Sequence, residues 1–234
     1  MPRTLRCLLF TLAILAGRGS NLSAQTQVAP FYSLPKDGDW IEFEWRATSP
    51  DKKDREGTLR ISSVGEQKLE GKSHRWIEVK KVSKHGQQVD FKLRKVLIAE
   101  RAFTAGQPLE LHVARGFGQK SPDAPVINLT RPRLHELLSL GMDGVDTTLV
   151  KVSENEEVET KLGKYKTRHL SATGKSGERV LKYHGWLTNE VPFGCIKFDI
   201  HERIGLEPLR PIFSAVAVRR GHDAKSELDE GKAK

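Results

Sequence analysis

Short runs of alternating hydrophobic and polar residues follow one another along this chain, separated by clusters rich in Gly, Asp and Lys. In the run DWIEFEWRA, residues 39–47, Ile41, Phe43 and Trp45 fall on one face of an extended strand and mostly charged residues fall on the other. A period of two is typical of a β-strand that buries one face. Four further runs have this pattern at hairpin spacing, at 57–65, 74–82, 89–98 and 109–115. The first half of the chain therefore predicts an antiparallel meander.

One segment, 131–140, has helical periodicity instead. Thr130 can cap a helix there, and Gly141 can end it. Three leucines recur between them at helical spacing, Leu134, Leu137 and Leu138. Strand patterns then resume at 145–153, 165–172, 178–187, 193–204 and 212–219. We therefore predict an α+β fold in which about ten antiparallel strands form the dominant sheet and one helix packs on it.

The two ends of the chain depart from the strand pattern. Residues 1–24 place two arginines ahead of an apolar run and small polar residues after it, which is the layout of a secretory signal peptide. The run is shorter than the roughly 20 apolar residues of a membrane-spanning helix. We expect an exported protein, periplasmic or secreted, without a transmembrane segment in its mature chain. The predicted organisation is a signal peptide at 1–24, a loose leader at 25–35, one domain at 36–220 and a disordered charged tail at 221–234.

The chain carries a net charge of +9, and removal of three arginines with the leader lowers it to +6. Both signs are interspersed, without the dense basic cluster between aromatic residues that nucleic-acid binding needs. We therefore expect no specific nucleic-acid partner. The mild excess of positive charge is compatible with weak attraction to an anionic polymer or to an envelope protein.

The stretch HGWLTNEVPFGCIKF, residues 184–198, gathers unusual residues in a chain otherwise rich in charge. A hairpin that turns at Asn189 and Glu190 explains it. In that register each residue pairs with the one that brings the sum of their numbers to 381. The predicted pairs are Tyr183 with Phe198, Leu181 with Ile200, Gly185 with Ile196, and Trp186 with Cys195. Cross-strand pairs of this kind stabilise a hairpin by roughly 0.2 to 1 kcal/mol each.

Three stretches give the chain a resemblance to a known group. LPKDGDWIEFEW, VETKLGKYKTRHLSATG and KYHGWLTNEVPFGCIKFDI follow one another as in exported bacterial proteins of the DUF3108 and LolA/LolB-like group. The resemblance implies a curved antiparallel half-barrel with a helix across its concave face. In carrier members of that group it also implies an apolar cavity for acyl chains. The chain departs from the lipoprotein members because it has no lipobox cysteine.

Candidate chemistry is sparse. Of the two cysteines, Cys7 leaves with the leader, so Cys195 cannot form an intramolecular disulfide. Cys195 could act as a nucleophile only beside an imidazole, with His184 or His201 as the base. The predicted register places Trp186 across from it, so we expect a packed thiol. No nucleophile elbow, HExxH, phosphate loop or Rossmann motif is present in the sequence. We therefore expect no enzyme, and a hydrolase using Cys195 is a residual possibility.

His169, His184 and His201 lie on three successive predicted strands and raise a zinc hypothesis. The alternation around Tyr165 and Thr167 predicts that His169 faces inward, opposite to His184. The predicted register also puts His201 on the order of 13 Å from the position facing His184, at roughly 3.3 Å per residue. These distances disfavour a shared metal, which needs nitrogen ligands at about 2.0 to 2.1 Å. The acidic run at 153–159 lacks the ligand alternation of a calcium loop, so we expect no metal and no cofactor.

Two functions fit this architecture. In the first, a lipid-like apolar or amphipathic ligand binds in a concave groove. In the second, side chains fill the groove, and the protein is a structural or interaction component of the cell envelope. An open cavity of roughly a few hundred Å³ distinguishes the first function from the second. The candidate groove-lining residues are Trp45, Phe91, Leu134, Leu138, Tyr183 and Phe198. Trp40, Trp76 and Trp186 are further aromatic candidates that we expect in the core or at the sheet edge.

Overall fold

The computed structural model describes residues 31–49, 52–85, 88–104, 112–129, 146–229 and 231. These residues form eleven strands and a short helix. The strands are β1 (Trp40–Ser49), β2 (Lys52–Leu69), β3 (Lys72–His85), β4 (Gln88–Ala99), β5 (Val113–Gln119), β6 (Ile127–Asn128), β7 (Asp146–Thr160), β8 (Gly163–Ser176), β9 (Arg179–Leu187), β10 (Cys195–Ile204) and β11 (Arg210–Gly221). The helix, α1, spans Arg101–Thr104, and a 3-10 turn spans Pro192–Gly194.

All strands belong to one open antiparallel sheet, in the order β6-β5-β4-β3-β2-β1-β11-β10-β9-β8-β7. Two meanders, β1 to β6 and β7 to β11, are joined where β1 pairs with β11. The predicted antiparallel sheet is confirmed. Helix in the described part of the chain is limited to α1, so the class there is mostly β rather than α+β. The predicted helix at 131–140 lies outside the described residues, and no helix within them is long and apolar enough to span a membrane.

The inner face of the sheet carries the main core. Strand alternation sends apolar residues of β1, β2, β3, β9, β10 and β11 to this face, where they form one buried cluster. At its centre Phe198 is fully buried, with its ring centroid 5.6 Å from that of Phe43 and 5.5 Å from that of Phe213. The stacked rings of Trp45 and Phe213 extend the cluster towards β1. The residues that the alternating pattern predicts on the apolar face of each strand are therefore the ones that form the core.

The hairpin of β9 and β10 is confirmed, but its predicted register is wrong by two residues. Phe198 pairs with Gly185, and Ile200 pairs with Tyr183, so the residue numbers sum to 383. The connection is a seven-residue loop at 188–194, in which Phe193 adopts a φ of 64°, and a bulge follows between Cys195 and Lys197. A two-residue shift leaves every side chain on its face, because the side-chain period of a strand is two.

A second, smaller cluster lies on the outer face at β4, where Leu93 and Val126 pack against Leu228. The Glu78 carboxylate accepts hydrogen bonds from the Ser226 hydroxyl and from the backbone N–H of Leu228. The segment at 222–229 therefore follows a defined path on the sheet, which corrects the predicted disordered tail over these residues. The predicted loose leader is corrected over 31–35, because Phe31 is buried against Phe193.

Candidate functional site

Three of the six predicted groove residues come together on the inner face. Trp45, Tyr183 and Phe198 are all buried, at 3%, 0% and 0% exposure, and belong to the main core. The rings of Tyr183 and Phe198 lie 6.3 Å apart, centroid to centroid. Side chains of the protein itself therefore surround the atoms that were predicted to line a groove.

The other three predicted residues do not join this group. Phe91 packs partly buried in the second cluster, on the outer face of β4. Leu134 and Leu138 lie outside the described residues. The remaining tryptophans are also dispersed: Trp40 donates to Asp223, Trp76 packs against Phe117, and Trp186 lies among histidines on the outer face.

Among the cavities within the described part of the chain, two bear on the predicted groove. One, of about 690 Å³, lies at the β4 to β6 edge and includes Phe91, Ile127 and Leu129 in its lining. The other, of about 590 Å³, lies across β1, β2, β3 and β11. Its lining combines polar and apolar surface and carries both signs of charge. The members are Glu44, Trp45, Arg46, Glu56, Gly57, Thr58, Val82, Lys84, Ser214 and Val216.

A cluster of polar rings occupies the outer face of β8 to β10, and it joins His169, His184, His201, Trp186 and Glu156. We refer to these five residues as the histidine cluster. His169 Nδ1 lies 2.9 Å from Glu156 Oε1, and His169 Nε2 lies 2.8 Å from His184 Nδ1. Trp186 donates its indole N–H to Glu156 Oε2 at 2.8 Å and stacks on His169. His201 packs edge-on against His184, with ring centroids 5.4 Å apart.

When the imidazole rings of His169 and His184 are both neutral, the hydrogen bonds determine which nitrogen of each ring carries the proton. A carboxylate only accepts, so His169 donates from Nδ1 to Glu156 and accepts at Nε2 from His184. The Nε2 atom of His184 is then left with a free lone pair. Burial, followed by the neighbouring charges of Lys182 and the two other histidines, lowers the pKa of His184 to about 4. The hydrogen bond from Trp186 holds the pKa of Glu156 below its ordinary value.

Two predictions that separated the three histidines are wrong: the inward orientation of His169 and the distance of His201 from His184. A bulge lies between Ser153 and Glu156 on β7, and the alternation of buried and exposed residues on the neighbouring β8 changes phase at the same point. His169 therefore faces outward beside His184. The two-residue register shift brings His201 close to the same ring. The direct contact between His169 and His184 occupies both facing nitrogens. No group of three or more His, Cys, Asp or Glu residues in the described ranges is arranged to hold a metal ion.

Cys195 is placed as a packed thiol. Its side chain is fully buried, and its Sγ donates to the carbonyl oxygen of Lys197 at 3.3 Å. Burial raises the pKa of the thiol to about 12. The residue across the hairpin is Leu187, not the predicted Trp186. His184 and His201 both belong to the outer face, so they lie on the opposite side of the sheet from the buried core that holds Cys195.

Sequence reasoning missed the partner that organises the histidine cluster. Glu156 belongs to the acidic run at 153–159, for which the sequence predicts no metal, yet it receives hydrogen bonds from Ser153, Trp186 and His169. A bulge brings it there, with Asn155 at a φ of 65°. The sequence offers one signal for this bulge: Asn tolerates a positive φ better than most residues, and Asn155 lies within the run Glu-Asn-Glu-Glu at 154–157.

Comparison with known proteins adds little to this description. No protein-family model and no curated protein sequence matches the chain. A candidate lipoprotein from Parabacteroides distasonis aligns with a TM-score of 0.38 and 7% identity, over 82% of this chain and 98% of that one. A candidate exported protein with a YmcC-like fold from Bacteroides fragilis aligns with a TM-score of 0.37 and 9% identity, over 82% and 99%. Similarities this low carry no argument about function, and the resemblance to the DUF3108 and LolA/LolB-like group stays a prediction.

Proposed function

We propose that this chain is an exported, non-catalytic interaction protein of the cell envelope whose inner face is filled by its own aromatic side chains. The observation that carries the proposal is the packing around Phe198. Its fully buried ring contacts those of Phe43, Tyr183 and Phe213, with centroids 5.5 to 6.3 Å away. An acyl chain could occupy this position only by displacing rings that already fill it.

The secretory leader layout of residues 1–24 supports the exported part of the proposal. The buried thiol of Cys195, with its raised pKa, supports the non-catalytic part because a thiol rather than a thiolate is present near neutral pH. The groove of about 590 Å³ offers a surface for a partner. It presents Arg46 and Lys84 together with Glu44 and Glu56, and this mixture of signs suits a protein partner better than a uniformly anionic polymer.

A second candidate function rests on the cavity of about 690 Å³ at the β4 to β6 edge. This cavity includes Phe91, Val89, Ile127 and Leu129 in its lining, and the Val89 side chain is 61% exposed. An apolar or amphipathic ligand could lie there without displacing the main core. This candidate keeps the ligand-binding interpretation but moves it away from Trp45, Tyr183 and Phe198.

Titration with an environment-sensitive acyl probe distinguishes the two candidates. We expect no saturable binding to the wild-type mature chain under conditions that detect micromolar affinity, which corresponds to about −8 kcal/mol. Micromolar binding that Phe91→Ala weakens and Phe198→Ala leaves unchanged would favour the edge cavity. Binding whose affinity changes in a folded Phe198→Ala variant would overturn the proposal of a filled inner face.

A further inference from the structure

Three cationic side chains lie on the same inner face near one end of the sheet. Lys81 on β3 pairs directly with Lys92 on β4, so two like charges stand opposite each other. Arg55 on β2 lies on the same face and raises the local positive potential at Lys81. Like charges in directly opposed positions destabilise a sheet. None of these three cations has an ion pair with an acid among the described residues.

Lys81 is the least solvated of the three. Its ammonium lies 4.2 Å from the ring centroid of Trp45 and 5.7 Å from that of Phe213, over two stacked aromatic rings. Burial, together with the charges of Lys92 and Arg55, lowers the pKa of Lys81 to about 8. Aromatic faces attract a cation, but they do not neutralise it. The N–H of the Trp45 indole is also buried without a hydrogen-bond partner in the described structure.

Gly57, Ser83 and Asp90 lie in one row across the sheet between Arg55 and Lys81. The strands approach closely there, since a Cβ at Gly57 would lie 1.8 Å from the Val82 carbonyl oxygen. The Ser83 opposite Gly57 carries a hydroxyl with no partner among the described residues. Asp90 pairs with Ser83 on the other side, is exposed, and accepts a hydrogen bond from Gln88. Together these three cations and Asp90 carry a net charge of +2, and Arg94 adds a further cation on the same face of β4.

We propose that Lys81, Lys92 and Arg55 form a binding site for a phosphate group at this end of the inner face. A phosphate dianion matches the net charge that these three cations and Asp90 carry together. An arginine presents a planar fork to two phosphate oxygens, and a lysine adds a point charge. The Ser83 hydroxyl can donate to another phosphate oxygen. The phosphate can belong to a free ion or to the head group of an anionic lipid, because both present the same oxygens.

The experiment measures binding of inorganic phosphate to the mature chain by isothermal titration calorimetry. It is repeated by co-sedimentation with phosphatidylcholine vesicles that contain phosphatidic acid, and with phosphatidylcholine alone. We expect saturable binding in at least one anionic arm and none to phosphatidylcholine. Binding to phosphate alone assigns a free ion, and binding to the phosphatidic acid vesicles alone assigns a lipid head group. Both results support the site.

Substitutions locate the site. Lys81→Gln and Lys92→Gln should each weaken binding about tenfold or more, because each removes a charge-assisted hydrogen bond. Lys72→Gln is the matched control, since Lys72 is exposed and lies at the opposite end of the same strand from Lys81. It should leave the affinity unchanged. Lys92 is exposed, so its variant folds even if Lys81→Gln does not. The absence of binding in both anionic arms would overturn the proposal, as would equal losses in all three variants.

Discussion

Replacement of Phe198 by Ala tests whether the inner face is filled. Phe198 is fully buried and contacts three other aromatic rings. Loss of a buried Phe side chain costs about 3 to 5 kcal/mol, because transfer free energy is lost and a cavity remains. Each aromatic pair adds about 0.5 to 1.5 kcal/mol beyond its buried area. We therefore expect a loss near the upper end of the first range, about 4 to 5 kcal/mol.

Urea unfolding followed by tryptophan fluorescence and circular dichroism measures this loss as a fall in the midpoint at constant m-value. Phe91→Ala is the control because its ring is only partly buried in the smaller cluster, and we expect a loss of about 1 to 2 kcal/mol there. The free energy of unfolding of a typical domain is about 5 to 15 kcal/mol. If the wild-type protein lies near the lower end of this range, the Phe198→Ala variant would not fold. A loss below about 2 kcal/mol for Phe198→Ala would refute the reasoning, since it would mean that the ring borders open space.

Two further predictions concern titratable groups. Because the folded state keeps His184 neutral, with a pKa lowered from 6.5 to about 4, the unfolded chain binds the extra proton first, and stability should fall as the pH drops from about 6.5 towards 4. Unfolding midpoints across this range should show a shallower slope in His184→Gln, and an unchanged slope would contradict the assignment. Cys195 should resist a thiol reagent in the native state and react after unfolding. Cys195→Ser should cost about 1 to 3 kcal/mol in a dry site, while rapid native labelling would show an accessible thiol instead.

The sequence determined those features that depend on local alternation. Apolar residues two apart in β1, β9 and β10 must share a face, so the pattern alone predicts that Trp45, Tyr183 and Phe198 lie on the buried side. The hairpin of β9 and β10 was equally readable, because turn residues lie between two alternating runs. Burial of Cys195 did not follow from the pattern, because alternation puts it on the face of Lys197 and Asp199, and the bulge between Cys195 and Lys197 turns it to the core instead.

The tertiary structure alone decided which residues meet across strands. A shift of two residues leaves the alternation unchanged, so the true pairing of Phe198 with Gly185 was invisible in the pattern and depended on the seven-residue loop at 188–194. A bulge in β7 brought His169 to the outer face beside His184, which local periodicity cannot predict.

Long-range pairing set the remaining features. The β1 to β11 contact joins residues from opposite ends of the chain. The approach of Lys81 to Lys92 and to the Trp45 ring follows from the register of four strands, β1 to β4. Neither has a local sequence signal. A period of two specifies the side of the sheet on which a residue lies, whereas its neighbours on that side depend on loop lengths, bulges and strand order, which become defined only when the sheet assembles.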